Sequence, residues 1–352
     1  MGDLLMSAPA IAAVKTSFDC KITVLCSDKA EQVAACIDGI DEVIVFNLPW
    51  LKLDSAKEKD VHNLVDVLKI RNFDACIVFN VYSQNPAPCL MLAYMTGIKY
   101  RAAYSRENLY GLLTHWLPDD EPLQQIRHQV ERDLNLAKFL GATISDDRIR
   151  LADQHTSEQL QILDNLQLNP NGYFILHTGV SEKKRRYPEI YWIELGKLVL
   201  KYYNIPIVLT GSGSERNFTE NLAKQIGDGT ISLAGQLPFK SLLAVVKNAI
   251  AMVSVNTGPM HLAVALDTPL IALYAQTNPQ HKPFKAKCKI IEYAVPNHLQ
   301  SANEIIRFVN DKVYVNKPEI PKPKLVMKQL QELLYEIKAL TPPVQQLHSQ
   351  GF

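Results

Sequence analysis

Short apolar runs alternate with segments of helical period along most of the chain. Residues 22–26, 42–46 and 75–79 are continuous apolar stretches, the pattern of short strands buried on both faces. Between the last two, Val61, Leu64, Val65 and Leu68 recur at helical spacing and predict a helix over 61–71. A long amphipathic segment runs from Leu123 to Leu140 and stops at Gly141, a residue suited to ending a helix. The pattern restarts near residue 173. Strands are expected at 173–177, 206–210, 250–255 and 270–274, and helices at 189–203, 215–226 and 238–249. Such alternation predicts an α/β fold, with parallel sheets covered by helices on both faces.

A chain of 352 residues is long for one hydrophobic core. The polar, turn-rich stretches "SDDRIRLADQHTSEQ" and "LQLNPNGY" fall near its middle. Two doubly wound domains are therefore expected, over 1–155 and 165–315. The prolines of "NKPEIPKP" at 316–323 predict an extended linker, followed by a helix from about Leu325 to Ala339. The tail 341–352, which completes the final segment 316–352, is expected to be mobile. At the other end, "MGDLL" enters a helix directly. A doubly wound domain ordinarily has a strand before its first helix. The first strand is thus expected to be missing, through a start assigned too late or a truncated form.

Composition excludes several classes. Hydrophobic residues make up 47% and charged residues 21%, which excludes disorder of the whole chain. Lysine plus arginine number 37 against 36 aspartate plus glutamate, so no overall field points to nucleic acid. Basic residues cluster locally in "KKRR" at 183–186 and "HKPFKAKCK" at 281–289, as solvated surface or as ligand contacts. No two cysteines stand at CxxC spacing, which favours buried free thiols in a reducing cytosol. No apolar run reaches the length of a membrane span. The N-terminus lacks a positive n-region and carries Asp3, unlike a signal peptide, and Met6 stands where N-myristoylation expects Ser or Thr.

In open α/β sheets ligands bind beyond the carboxyl ends of strands, so the strand-to-helix turns are the candidate sites. "VNTGPMH" puts Asn256, Thr257 and Gly258 after a strand, and Pro259 at the first helical position, where no N–H is needed. Thr257 or Gly258 can cap. The following N–H groups and the positive helix end make an anion site, to which His261 adds a donor. A capped helix with a structural histidine fits the same spacing. "LHTGVSEKKRRYPEIYW" brings Thr178 and Gly179 after a strand, followed by four cations that include Arg185. Small residues let backbone approach a phosphate that arginine neutralises, although an exposed basic loop reads the same way. "VLTGSGSERN" holds Gly211 and Gly213, two of the three glycines of a dinucleotide fingerprint. Glu215 would sit at the helix start there, accepting from ribose hydroxyls or merely favouring the helix dipole. "MGDLLMSAP" sets Asp3 at a helix start, as a cap or as a general base.

Together these turns resemble glycosyltransferase family 9, the ADP-heptose:lipopolysaccharide heptosyltransferases. "MGDLLMSAPAI" resembles the family's N-terminal GD motif, "LHTGVSEKKRRYPEIYWIEL" its phosphate loop and "VLTGSGSE" its nucleoside loop. "LAGQLPFKSLLAVVKNAIAMVSVNTGPMHLAVALDTPLIALY" resembles its most specific block. The resemblance implies a GT-B architecture of two Rossmann-like domains with a cleft between them. It implies inverting transfer of heptose from ADP-heptose to a sugar hydroxyl of the lipopolysaccharide inner core, with no metal and no other cofactor. Asp3 inherits the role of base. Thr178, Gly179, Arg185, Asn256, Thr257, Gly258, Pro259 and His261 inherit the donor diphosphate, and Gly211 and Glu215 the nucleoside.

The implied location is cytoplasmic, at the inner face of the membrane. There the lysines of 282–289 could meet anionic headgroups. Asn256 departs from the Asp common in the family, Tyr187 from Trp and Ala275 from Gly. Two alternatives remain open: a GT-B enzyme with another nucleotide-sugar donor, and a nucleotide-sugar-binding protein without turnover.

Overall fold

The structure is a computed structural model and describes residues 1–50, 56–152, 156–180 and 182–339. The tail 341–352, expected to be mobile, lies outside the described residues. By contact the chain divides into two units. The first holds 1–152 together with 278–284 and 301–314. The second holds the described residues of 153–277, 285–300 and 315–352.

The first unit opens with helix α1 (Gly2–Phe18), which is apolar nearly all round and packs on α5 (Gln129–Phe139). Between them run β1 (Thr23–Cys26), α2 (Asp28–Ala34), β2 (Glu42–Val45), α3 (Glu58–Arg71), β3 (Ala75–Val78), α4 (Ala87–Met95), β4 (Tyr100–Ser105) and β5 (His115–Pro118). The strands form two parallel sheets, β1–β2 and β3–β4–β5. The stripe on α3 that the spacing predicts is present. Leu64, Val65 and Leu68 are buried, and they pack with Leu92 of α4 and with Leu25 and Ile44 of β1 and β2. The amphipathic segment from Leu123 begins as a helix only at Gln129. His128 caps it there, its ring accepting from the Val130 N–H at 3.1 Å while the Glu131 carboxylate accepts from the His128 N–H at 3.2 Å.

The second unit holds α6 (Thr156–Asn165), β6 (Phe174–His177), α7 (Glu189–Tyr203), β7 (Ile207–Thr210), α8 (Arg216–Ile226), β8 (Thr230–Ser232), α9 (Phe239–Lys247), β9 (Ala251–Val255), α10 (Gly258–Ala265), β10 (Leu270–Ala275) and β11 (Cys288–Tyr293). Among the described residues six strands form one parallel sheet in the order β11–β10–β9–β6–β7–β8. Strands β6, β7, β9 and β10 are buried at every residue, as their β-branched, apolar sequences predict. The chain builds outward from β6 in one direction through β7 and β8. It then crosses back to add β9, β10 and β11 on the other side. This is the dinucleotide-binding doubly wound order, whose switch point lies between β6 and β9.

Helix α11 (Glu304–Lys312) belongs to the first unit, where Val309 packs with Tyr82 and Tyr314. Helix α12 (Pro323–Glu336) belongs to the second, and Val326, Leu330 and Leu333 join the core around Trp192. Where buried free thiols were expected, all six cysteines are free but only half-buried.

Candidate active site

In the second unit the switch point brings two of the expected turns together. The Arg185 guanidinium donates to the Asn256 carbonyl at 3.1 Å, spanning from the turn after β6 to the turn after β9. Its position is fixed from two sides. Glu182 pairs with the guanidinium at 2.7 Å, and the Tyr293 hydroxyl donates to the Arg185 carbonyl at 2.8 Å. Nε of Arg185 is buried without a partner, and so is the Thr178 hydroxyl, which follows β6. Buried polar groups of this kind are costly unless something completes them.

Helix α10 starts at the end of β9, with Thr257 at its N-cap. The Thr257 hydroxyl makes no cap bond; it lies 3.4 Å from the Val255 carbonyl behind it. The positive end of α10 is thus not closed by a side chain. Pro259 stands in its first turn. His261 is buried one turn in, 5% exposed. The Asn256 side chain bridges to the neighbouring strand end, donating to the Ala275 carbonyl and the Thr277 hydroxyl and accepting from the Ala275 N–H at 3.2 Å. It ties β9 to β10 and leaves its own carbonyl to Arg185.

Glu215 reaches across loops. It accepts from the Val180 N–H at 2.9 Å, and from the Ser212 N–H and hydroxyl at 2.8 Å each. One carboxylate therefore joins the turn after β6 to the turn after β7. Gly179 makes room for it, because a Cβ there would lie 2.5 Å from the Glu215 carboxylate. Gly211 is nearly as close, with a Cβ meeting the same oxygen at 3.1 Å. His177, next to this tie, is held neutral by burial, its pKa lowered to about 4, with its ring 2.9 Å from the Thr210 hydroxyl.

In the first unit Asp3 stands in the first turn of α1 with its carboxylate 81% exposed, 3.9 Å from the His281 ring. Behind it lies a buried polar network that sequence reading did not find. The Arg132 side chain is fully buried and forks onto both oxygens of Asp119 at 2.8 and 2.9 Å. It also donates to the carboxylate of buried Glu121 and to the Asn80 carbonyl, and it stacks 3.9 Å above the Tyr104 ring. Asp133, one residue on, accepts from Ser7 of α1 at 2.6 Å and from Gln129 at 2.7 Å. Burial pushes its carboxyl up to about 7. Ionic residues far apart in sequence give no periodic signal, so only the fold reveals this cluster.

The basic run 281–289 is not one feature. His281 and Lys282 lie in the first unit. Lys287 pairs with Asp267 at 2.5 Å and Lys289 with Glu336 at 2.6 Å, so two of its charges are matched. Among the described residues no helix is long and apolar enough to cross a membrane.

A parallel switch point with an open helix end, an arginine and a cross-loop carboxylate defines an α/β unit whose turns suit an anionic ligand. The comparisons narrow this. The model of glycosyltransferase family 9 (heptosyltransferase) matches residues 61–304, well over half the chain, and the chain belongs to that family. It is a glycosyltransferase. Asp3 precedes the matched span. Lipopolysaccharide heptosyltransferase 1 of Escherichia coli O18:K1:H7 is 25% identical over 324 residues, 88% of this chain and 94% of the relative. Among solved structures, a family 9 glycosyl transferase from Veillonella parvula superposes with a TM-score of 0.76 at 17% identity, covering 96% of this chain and 95% of that one. E. coli heptosyltransferase WaaC with ADP gives 0.69 at 20% identity, covering 95% and 97%. These likenesses establish the GT-B fold with its two Rossmann-like halves.

Proposed function

We propose that this enzyme transfers a heptose from ADP-heptose to a sugar hydroxyl of the lipopolysaccharide inner core, with inversion and without a metal ion. The observation that carries the donor side is the switch point of the second unit. There Arg185 reaches the turn that opens α10, whose positive end has no side-chain cap. A diphosphate is the ligand that such a turn suits. The E. coli relative solved with ADP supports the same donor class.

In this reading the second unit binds the nucleotide-sugar and the first binds the acceptor. Thr178, Gly179, Thr257, Gly258 and the α10 amides receive the diphosphate, with Arg185 and His261 as donors. Asn256 and Pro259 shape the turn. Gly211 and Glu215 border the nucleoside. As the glycosidic bond breaks, negative charge grows on the leaving diphosphate, where oriented N–H groups and the guanidinium stabilise it. Asp3 takes the proton of the attacking hydroxyl, and its exposure leaves it accessible to a large sugar acceptor. Work on an amphiphilic acceptor places the enzyme in the cytoplasm, at the inner face of the membrane.

The test pairs two variants. Asp3→Asn is expected to lower single-turnover transfer from ADP-heptose to a deacylated core acceptor by about 10²–10⁴-fold, with ADP affinity nearly intact. Arg185→Ala is expected to weaken ADP binding by roughly one to two orders of magnitude in calorimetric titration, the cost of one charge-assisted contact. Near-normal turnover in the first would reduce Asp3 to a helix residue. Unchanged ADP affinity in the second would move the diphosphate elsewhere.

A further inference from the structure

We infer that His281 is a positioning residue for Asp3, its ring Nδ1–H directed at the Asp3 carboxylate. The inference rests on the proposed role of Asp3 as base, and it adds a second group to that site.

The argument begins with the segment that carries His281. Pro279–His281 is a short 3-10 turn capped by Asn278, whose side-chain oxygen accepts from the Gln280 N–H at 3.0 Å. That bond fixes which way round the Asn278 amide lies. Its nitrogen must therefore face the His281 Nε2, at 3.2 Å. An amide nitrogen only donates, so Nε2 accepts. The neutral ring then carries its proton on Nδ1, the atom that stands 3.9 Å from Asp3 Oδ1. This distance is longer than a hydrogen bond, and contacts of this kind commonly tighten when substrate arrives.

The turn is also held on both sides of the histidine. Ahead of it, buried Gln280 accepts from the Tyr82 N–H at 3.3 Å and donates to Glu121 at 3.4 Å, which joins it to the Arg132 network. Behind it, Phe284 stacks on His128 at 4.5 Å, and the His128 ring donates to the Lys282 carbonyl at 2.6 Å. The turn that carries His281 is thus held by three residues on other loops of the first unit. Charged or titratable groups that interact with the pair include His128 for His281, and Asp133 and the Met1 amino group for Asp3. Burial holds His128 neutral, its pKa lowered to about 4.

The step this serves balances simply. The acceptor oxygen bonds to the anomeric carbon, whose bond to the phosphate oxygen breaks, and that electron pair leaves with the nucleoside diphosphate. The hydroxyl proton passes to Asp3, which later gives it to water. A donor fixed on one carboxylate oxygen aims the other at the acceptor hydroxyl.

The test compares three substitutions. Asn can present a donor near the Nδ1 position, whereas Gln presents one near Nε2 and Ala presents none. We expect His281→Ala and His281→Gln to lower kcat by about 10- to 100-fold, the worth of one hydrogen bond to a charged group. Acceptor KM, ADP affinity and melting temperature should stay close to those of the parent. His281→Asn should recover most of the rate. In the Asp3→Asn background His281→Ala should cost nothing further, because the histidine acts through that carboxylate. If Asp3→Asn abolishes turnover while His281→Ala leaves kcat unchanged, the inference falls and the role of Asp3 stands. Equal losses in the Ala, Gln and Asn variants would also overturn it. If Asp3→Asn itself keeps turnover, the proposed base fails first.

Discussion

The turn after β6 and the loop after β5 both leave the carboxyl end of a parallel strand, yet they are held by different means. In the second unit the sheet is continuous across six strands. Its ladder already places the turns, and one carboxylate, Glu215, suffices to tie two of them. Among the described residues of the first unit five strands divide into sheets of two and three. There Arg132, Asp119, Glu121 and Gln280 bind the loops to one another with buried charge. A continuous ladder positions its turns with few side-chain ties, whereas a divided one calls for a buried ionic network that holds loops in place.

The strongest way to break this contrast is Arg132→Met. The change leaves Asp119 and Glu121 buried without their cation, a loss of about 3–5 kcal/mol. Scanning calorimetry should show the first unit melting earlier while the second keeps its transition. A melting curve identical to the parent's would deny the network its role.

Gly179→Ala tests the other side of the contrast. The new methyl group must displace a Glu215 carboxylate that accepts from three donors. We expect the ADP Kd to rise roughly tenfold, close to the loss of one bond to a charged group. An unchanged Kd would mean that the two turns do not need their tie.

A third test is a pH dependence. The folded protein holds the Asp133 proton to about pH 7, because burial disfavours the carboxylate. The unfolded chain releases it near pH 4. Between these values the folded state binds more protons, so this group's contribution to stability is lost as pH rises. Asp133→Asn cannot ionise. Relative to the parent it should gain roughly 2–4 kcal/mol between pH 4 and pH 8, read by urea unfolding. His128, whose pKa is lowered by burial, gives a slope of opposite sign in both proteins and cancels in the difference. A difference independent of pH would show that Asp133 is ionised in the fold.

Much of the second unit was legible in its sequence. Runs such as "YFILH" and "PIVLT" mark buried strands, and the turns after them lie where a parallel sheet puts its ligands. The first unit was less so. Strand β4, "YRAAYS", carries an arginine and two alanines and has no strand pattern; it is a strand because it pairs on both edges. The helix expected from Leu123 starts six residues late, because His128 and Glu131 cap it locally. His281 was hidden inside a lysine-rich run that reads as solvated surface. Its relation to Asp3 spans nearly the whole chain, and no local pattern can carry it.

The division of the chain has a consequence for its synthesis. Residues 278–284 and 301–314 lie in the first unit, although the second unit's sequence comes before and between them. A ribosome delivers Gln280, the partner of Glu121 and Tyr82, long after the rest of that network has emerged. The first unit is therefore complete only once its last pieces have been made. Full assembly of consecutive domains in order from the N-terminus does not describe this division of the chain. A nascent chain halted after residue 277 should remain open to protease in its first half, while one extended past residue 314 should close.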